Sequence, residues 1–158
     1  MGKETEYKVM LINPAEPKTK DLLEKLIHGT NDQDGLEIAM RAYMTEMSVM
    51  TGMPEYLFNI PQNPVCVAFT EDFRVFGFIV VGADSSTKTV ITEHVYVRPE
   101  VRHKGVYQLM MKRIEKLAKD IEFERIVSFV FNENDTSQKA HKKVGFKKRM
   151  IGYIKDMK

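Results

Sequence analysis

The sequence predicts a single α/β domain whose central sheet is mixed, mostly antiparallel and flanked by helices. Three observations support this expectation. The 158 residues are 43% hydrophobic and 29% charged, which is the composition of an ordinary globular domain. Three apolar segments follow one another between residues 65 and 97, separated by short turns. Beyond residue 98, helical and strand patterns alternate, which is typical of a sheet covered by helices.

The N-terminal part of the chain predicts one strand followed by two helices. Residues 7–11 form a short strand pattern. Residues 18–28 have apolar side chains at helical spacing, and Gly29 follows as a stop. Residues 36–50 predict a second helix, whose methionines fit flexible core filling better than a ligand-binding surface. The apolar face of this helix is expected to consist of Ile38, Ala39, Ala42, Tyr43 and Met47.

The middle of the chain predicts three strands in an antiparallel meander. They cover residues 65–69, 73–83 and 89–97, and the turns between them are rich in Asp, Ser and Thr. Before the first of them, three prolines mark an irregular connection, namely Pro54, Pro61 and Pro64.

The last third of the chain predicts a helix from Val106, a strand over 125–131 and a helix within 134–146. The long helix has its apolar stripe at Met110, Ile114, Leu117 and Ile121. The strand is nearly all apolar, so both of its faces should be buried. One or two further strands are expected within residues 146–157.

The short helix within 134–146 has recognisable end signals. Asp135 and Gln138 have the spacing of a capping box. Gly145 suits the left-handed position that ends a helix, and Phe146 can fold back on the last turn.

The start of the long helix has the character of an anion site. The first N–H groups of a helix have no partner within it and carry the positive end of its dipole. Gly105 lets a phosphate approach the backbone closely, and Arg102, His103 and Lys104 add positive charge. The N–H groups of residues 104–108 are therefore expected to point toward an anion. A basic turn in which the glycine only shapes the backbone is the alternative.

Two motifs resemble those of the GNAT superfamily of acyl-CoA-dependent N-acyltransferases. "VRPEVRHKGVYQLM" (97–110) is similar to the acetyl-CoA signature of that family, and "NDTSQKAHKKVGF" (134–146) is similar to its later motif. They occur in the right order, within a region of about 89–148. The resemblance implies one GNAT-like domain over residues 1–158, and an N-acetyltransferase that moves an acetyl group from acetyl-CoA to an amine of a small molecule or peptide.

The resemblance also implies a set of donor-binding residues. The backbone N–H of Val95 or Tyr96 would polarise the thioester carbonyl, and Asn134 would meet the pantetheine arm or simply cap its helix. The full set of expected acetyl-CoA-binding residues is Val95, Tyr96, Val97, Arg102, His103, Lys104, Gly105, Val106, Tyr107, Gln108, Asn134, Ser137 and Lys143.

The chain departs from the family pattern at three positions. His103 stands where Gly is common, and Tyr107 stands where the family has Gly or Ala, which predicts bulk beside the pyrophosphate. His141 occupies the position of the usual Tyr acid, as in a subset that includes phosphinothricin-type acetyltransferases.

Two side chains are the candidates for catalysis. Glu93 is the expected base, acting through water, and a solvated strand carboxylate is the alternative. His141 is the expected acid for the departing thiolate, and a partly buried histidine bonded to backbone is the alternative. The neighbouring His94 is expected to be structural. No metal is expected to take part.

Other function classes remain open from the sequence. A GNAT-like domain that binds acyl-CoA without transferring the acyl group is one, because of Tyr107. A nucleic-acid-binding domain is a less favoured one, through the basic cluster over 139–149, for which a solvated face is the commoner explanation. The cluster consists of Lys139, Lys142, Lys143, Lys147, Lys148 and Arg149.

The acceptor amine and the cellular setting have weaker signals. Asp32, Asp34 and Glu37 would attract a cationic amine, or they serve as turn and cap residues. The single cysteine, Cys66, excludes an internal disulfide and fits a buried apolar position. With a net charge of +2 and no apolar run of membrane length, the chain predicts a cytoplasmic protein with no membrane contact, and a homodimer is compatible with the pattern.

Overall fold

A five-stranded sheet, in the order β1-β2-β3-β4-β5, forms the centre of the molecule. The computed structural model describes residues 5–31, 33–52, 62–150, 152 and 155. The strands are β1 (Lys8–Ile12), β2 (Val65–Phe69), β3 (Val75–Asp84), β4 (Thr89–Val97) and β5 (Arg125–Ser128). The first four pair antiparallel in sequence order, and β5 pairs parallel to β4. This confirms the predicted mixed, mostly antiparallel sheet.

Four α-helices cover the two faces of the sheet. They are α1 (Lys20–His28), α2 (Leu36–Thr51), α3 (Val106–Asp120) and α4 (Asp135–Lys143), and short 3-10 turns occupy Pro17–Thr19 and Pro99–Val101. Helices α1 and α2 bury one face, where Leu26, Leu36 and Met40 pack against Phe78. Helix α3 buries the other face through Met110 and Ile114, with part of α4 against it. Burial of these apolar stripes holds the three layers together.

The predicted helices and meander strands are found, but the expected face of α2 was largely wrong. Of its five residues only Ala39 is buried, and the buried face also contains Leu36. Met40 and Met44 are buried, which confirms the methionines as core filling. Cys66 is fully buried, and burial raises the pKa of its thiol to about 12, so it behaves as a small apolar residue. The connection marked by Pro54 and Pro61 lies outside the described residues.

Three further local predictions were wrong. The strand over 125–131 was expected to be buried on both faces, but β5 ends at Ser128 and the Phe129 side chain is 64% exposed. As the last strand of the described sheet, β5 has a neighbour on one side only. Ile121 is 41% exposed because α3 ends at the residue before it.

The third error concerns the end signals of α4. The N-cap is Asn134, whose side-chain oxygen accepts the Ser137 N–H at 2.9 Å, so the helix does not start with an Asp135 capping box. Gly145 does adopt the left-handed conformation, with φ of +97°, and Phe146 folds back so that its N–H donates to the His141 carbonyl. In the region expected to form closing strands, residues 146–150, 152 and 155 are not in a strand, and the rest lies outside the described residues.

Strand β4 contains an irregularity that positions the site. His94 is opposite Val80 and Thr92 is opposite Val81, so Glu93 is an extra residue, a β-bulge. On the other side, pairing with β5 runs only to Thr92 and Ser128. Residues 93–97 of β4 therefore extend past the last residue of β5. The opening between the two strands beyond the Thr92–Ser128 pair is called the splay below.

Among the helices that the structure describes, none has the length and apolar character needed to span a bilayer.

The Thr92 hydroxyl offers a test of the packing at this point. Its side chain is 1% exposed, and its Oγ1 has no hydrogen-bond partner among the described residues. Thr92→Val keeps the shape and removes an unpaired buried hydroxyl, so the free energy of unfolding should rise by about 1 kcal/mol. Urea unfolding measures it. Thr89→Val is the matched control, because the Thr89 hydroxyl donates to the Thr87 carbonyl and its loss should not stabilise the protein. An equal gain in both variants would contradict the prediction.

Candidate active site

The loop between β4 and α3 presents free backbone donors at the start of the helix. Gly105 is the N-cap in the left-handed region, with φ of +83°, and a Cβ added there would meet no heavy atom within 4 Å. The first intrahelical bond runs from the Leu109 N–H to the Gly105 carbonyl. The N–H groups of residues 105–108 therefore have no carbonyl acceptor in the helix and point toward open space, as an anion site requires.

The structure removes the Lys104 N–H from the backbone donors predicted to face an anion. The Lys104 N–H, expected to face the anion, donates instead to the Val101 carbonyl in the turn that follows β4. The side chains of His103 and Lys104 are exposed beside the helix start. His103 has φ of +65°, a conformation that glycine adopts most readily, which accounts for the Gly common at this position in the resembling family.

The Arg102 guanidinium is hydrogen-bonded to other groups of the protein. It contacts both carboxylate oxygens of Glu46 in α2, at 2.7 and 2.9 Å, and its Nε donates to the Val97 carbonyl at 2.9 Å. The same group lies 5.8 Å from the centre of the Tyr96 ring. The Arg102 side chain therefore joins α2 to the loop, and its predicted contact with the donor stays a prediction.

Tyr107 does not bring bulk to the helix start. Its side chain is 7% exposed and packs into the core beneath α3, with its ring centre 5.3 Å from that of His141. At the second position of α3, the side chain faces the sheet while the backbone N–H faces outward. The expected obstruction beside the pyrophosphate was wrong for this reason.

The ladder between β3 and β4 decides which backbone donors are open to the splay. The Arg98 N–H donates to the Phe76 carbonyl at 2.8 Å, which makes these two a bonded pair. Bonded and non-bonded pairs alternate along an antiparallel ladder, so Tyr96 also bonds to β3, whereas the N–H groups of Val95 and Val97 point away from it. Of the two donors expected to polarise the thioester, Val95 is the one that faces the splay.

Glu93 is the exposed side chain of the bulge. A Cβ on Gly82 would lie 2.6 Å from a Glu93 carboxylate oxygen, so the glycine makes room for this carboxylate beside β3. The other oxygen accepts a hydrogen bond from the Asn63 side chain at 3.1 Å. The carboxylate is thus held on the β3 side of β4 while it stays open to solvent.

His94 lies on the α2 side of the sheet. Its Nδ1 is 3.2 Å from the Tyr43 hydroxyl, and the two rings pack edge to face. Burial lowers the pKa of His94, although the neighbouring Glu93 carboxylate opposes that shift. These contacts are those of a packing residue, as the sequence predicted.

His141 is buried in a polar cluster on the opposite face. Its side chain is 6% exposed, its Nδ1 lies 2.7 Å from the Ser137 carbonyl, and its Nε2 lies 2.6 Å from the Ser128 hydroxyl. Burial lowers the pKa of His141, which keeps the ring neutral near neutral pH. The structure therefore shows the bonded, buried histidine of the alternative interpretation, and the acid role stays a prediction.

Sequence reasoning missed the partner groups of the site, which are Tyr43, Glu46, Asn63, Thr92 and Ser128. Ser128 had a local signal, because it is the one polar side chain in the apolar run "IVSFVF". Glu46 had none, since its bond to Arg102 joins residues 56 positions apart.

The acidic residues expected to attract an amine are used elsewhere. The Asp34 carboxylate accepts the Thr30 N–H and pairs with Arg74, which is the turn role that the sequence left open. Glu37 forms an exposed pair with Arg41 one turn along α2. Asp32 lies outside the described residues. The cations of the 139–149 cluster, Lys143 included, are all exposed.

Comparison with known proteins relates this arrangement to a described family. The family model described as "Acetyltransferase (GNAT) family" matches residues 34–146. None of the curated proteins matches the chain in sequence.

Several solved structures share the fold. An aminoglycoside N-acetyltransferase AAC(6')-Iy in complex with CoA is 21% identical over 99% of both chains, with a TM-score of 0.56. An aminoglycoside acetyltransferase from an uncultured soil metagenomic sample, in complex with sisomicin, is 10% identical over 96% of this chain and 97% of that one, with a TM-score of 0.60. A ribosomal-protein-alanine N-acetyltransferase from Brucella melitensis is 12% identical over 96% and 100%, with a TM-score of 0.63.

The buried His141 and the partly buried His94 make stability depend on pH. The pKa values of His94 and His141 are lowered in the folded protein, whereas an unfolded histidine has a pKa of about 6.5. As the pH falls below about 6.5, the unfolded chain takes up protons that the folded protein does not, so the free energy of unfolding should fall, by at most about 1.4 kcal/mol per pH unit for each histidine.

Urea unfolding between pH 7.5 and 5.5 measures this dependence. The carboxylates of Asp72 and Asp84, whose pKa values are lowered, titrate well below this window. His94→Gln and His141→Gln should each flatten the dependence, whereas His103→Asn, at an exposed position where asparagine tolerates the positive φ, should leave its slope unchanged. A stability that is constant across the window would show that neither ring is held neutral.

Proposed function

The chain belongs to the acetyltransferase (GNAT) family and is an acetyl-CoA-dependent N-acetyltransferase, and from that premise we propose that it acetylates an amine of a small molecule or peptide at the splay of β4 and β5. One observation supports placing the reaction at the splay. The N–H of Val95, the last strand residues of β4 and the free N–H groups of α3 all lie along one continuous stretch of backbone. That stretch offers successive donors to a long, phosphate-bearing thioester.

Each part of acetyl-CoA has a counterpart in this stretch. The pyrophosphate binds at the N–H groups of residues 105–108, with His103 and Lys104 supplying charge. The pantetheine arm lies beside Val97 and Tyr96, where β4 has no strand opposite it, and meets Asn134 and Ser137 at the start of α4. At about 3.3 Å per residue, the five residues 93–97 span about 16 Å, enough for an extended arm. Lys143 meets the 3′-phosphate.

The chemistry proceeds by direct attack of a neutral amine on the thioester carbonyl. Glu93 removes the proton of the incoming ammonium through water, because its carboxylate is fixed by Asn63 and open to solvent. The Val95 N–H donates to the oxyanion that develops on the carbonyl oxygen. The base and the oxyanion donor are therefore Glu93 and Val95, two residues apart on the bulged strand.

The acceptor is best sought among two kinds of amine. The solved structures with this fold include enzymes described as acetylating aminoglycosides and the alanine of a ribosomal protein. In this chain Glu93 is the exposed carboxylate of the β4 bulge, whereas Asp34 and Glu37 are paired with Arg74 and Arg41. A cationic amine is therefore the acceptor that this carboxylate favours.

The other sequence-based interpretations are less well supported. The non-catalytic acyl-CoA-binding domain was favoured by the bulk of Tyr107, and that ring lies in the core. The exposed cations of the 139–149 cluster fit a solvated face better than a nucleic-acid interface. The homodimer, the single domain over residues 1–158 and the cytoplasmic location stay predictions from the sequence.

Acetyl-CoA should stabilise the folded protein and be consumed in the presence of an amine. Ligand at about a hundred times its dissociation constant adds about 2.7 kcal/mol to the free energy of unfolding. Thermal melting with acetyl-CoA measures binding. Thiol release with a panel that includes sisomicin, neamine and a peptide with an N-terminal alanine measures transfer. Stabilisation without thiol release from any amine would favour the non-catalytic domain, and no stabilisation would contradict the proposed donor site.

Gly105→Val should weaken acetyl-CoA binding by about tenfold or more. The new side chain would occupy the open space in which the phosphate approaches the α3 donors. The positive φ also strains the backbone, by about 1–2 kcal/mol. Gly145→Val separates the two effects, because Gly145 has a similar φ of +97° and equally open space at the far end of α4.

Calorimetric titration and thermal melting of both variants make this comparison. The two should lose similar stability, and only Gly105→Val should lose acetyl-CoA affinity. Equal losses of affinity would place the anion site elsewhere.

A further inference from the structure

Ser128 and His141 form a hydrogen-bonded pair whose proton positions the structure determines. The Ser137 carbonyl can only accept, so the His141 Nδ1, 2.7 Å away, carries the hydrogen. In the neutral ring, Nε2 is then an acceptor, and the Ser128 hydroxyl at 2.6 Å donates to it. The hydroxyl oxygen of Ser128 keeps its lone pairs free for another donor.

The pair lies at the closed end of the splay. Ser128 is the last residue of β5 and is opposite Thr92, which is the last β4 residue before the bulge. Parallel neighbours place their side chains on the same face, so the Thr92 hydroxyl, buried and without a partner among the described residues, lies beside Ser128. A second unpaired hydroxyl, that of Tyr107, is on the ring packed against His141. Such a concentration of buried hydroxyls without partners is unusual at a purely structural position.

We propose that Ser128 is a catalytic residue that passes protons between the reacting atoms and the imidazole of His141. The inference rests on the proposed function, which brings the thioester carbon to the Val95 N–H, three residues along β4 from Thr92. Ser128 then touches the reacting atoms and His141 acts through Ser128. This differs from the sequence-based prediction in which His141 itself protonates the thiolate.

The two proton transfers balance within the pair. After the neutral amine has formed the C–N bond, its nitrogen is positive and gives a proton to Ser128 Oγ while the Ser128 proton moves to His141 Nε2. When the C–S bond breaks and the sulfur leaves with the electron pair, it takes the proton from Ser128 Oγ, and the Nε2 proton returns to the oxygen. The nitrogen and sulfur are bonded to the same carbon, so one hydroxyl can reach both. The pair ends in its starting state.

The surroundings of His141 suit a transient proton acceptor. The groups against its ring are Ser128 from β5, Tyr107 from α3, Ser137 one turn before it and Phe146 after α4. Of these, the Tyr107 phenol is the titratable one, and burial raises its pKa far above neutral. The ring is thus a weak base in the resting protein, and the imidazolium formed during the reaction readily returns its proton to the departing sulfur.

Removal of the Ser128 hydroxyl tests the inference. Ser128→Ala should lower kcat by about tenfold to a hundredfold with acetyl-CoA affinity little changed, and it should lower the melting temperature because the buried His141 Nε2 loses its donor. Ser128→Thr keeps the hydroxyl and should retain part of the activity. Ser86→Ala removes a serine hydroxyl in the β3–β4 turn, away from the splay, and should behave as the wild type.

Two further readouts distinguish proton transfer from support of the fold. If the residues act as one unit, Ser128→Ala combined with His141→Ala should cost no more in kcat than the larger single effect. The kcat of the wild type should fall at low pH as His141 becomes protonated, and this limb should disappear in Ser128→Ala. Additive losses, an unchanged acid limb or wild-type kcat in Ser128→Ala would each overturn the shuttle. The proposed function is judged separately, by wild-type activity and acetyl-CoA binding.

Discussion

The rest of the site depends on the short parallel pairing between β4 and β5. Only four residue pairs join these strands, and the bulge at Glu93 follows directly after the last of them. A longer β5 would engage the outward N–H groups of Val95 and Val97 in ladder bonds. Because the pairing stops at Ser128, those groups stay open, and the same strand leads on to the free donors at the start of α3. The donor-binding surface is thus a consequence of where one strand ends.

The loop that carries these donors is fixed from the other side of the sheet. Arg102 is held by Glu46, by the Val97 carbonyl and by the Tyr96 ring, so α2, β4 and the loop meet at one side chain. The ion pair is partly buried, with both side chains between 30% and 40% exposed, so it serves to position the loop more than to add stability. Helix α2 is in this way connected to the helix start at which the phosphates are proposed to bind.

The sequence predicted what depends on local pattern and missed what depends on neighbours. The meander, the four helices and the glycines at residues 105 and 145 follow from periodicity and backbone preference, and all were found. The burial of β5 was wrong because periodicity does not reveal whether a strand lies at the edge of a sheet. Tyr107 was expected beside the phosphate because sequence spacing fixes a residue's place on the helix and not which side meets the core. The partners Glu46 and Ser128 lie far from their contacts along the chain.

The two departures from the family pattern at Tyr107 and His141 are linked by the packing of one ring against the other. The Tyr107 ring occupies the space over His141, and Phe146 covers the other part of the imidazole, so the histidine is enclosed. An enclosed imidazole needs a partner for each nitrogen, because an unpaired buried nitrogen costs about 1–3 kcal/mol. The Ser137 carbonyl satisfies one nitrogen within α4, and the other requires a donor from β5. The serine at the end of β5 meets that requirement, and it places a hydroxyl where β4 and β5 separate. Tyr107, His141 and Ser128 therefore form one unit. The Tyr107 ring at the start of α3 buries the His141 imidazole, and the buried imidazole requires the Ser128 hydroxyl as a hydrogen-bond donor.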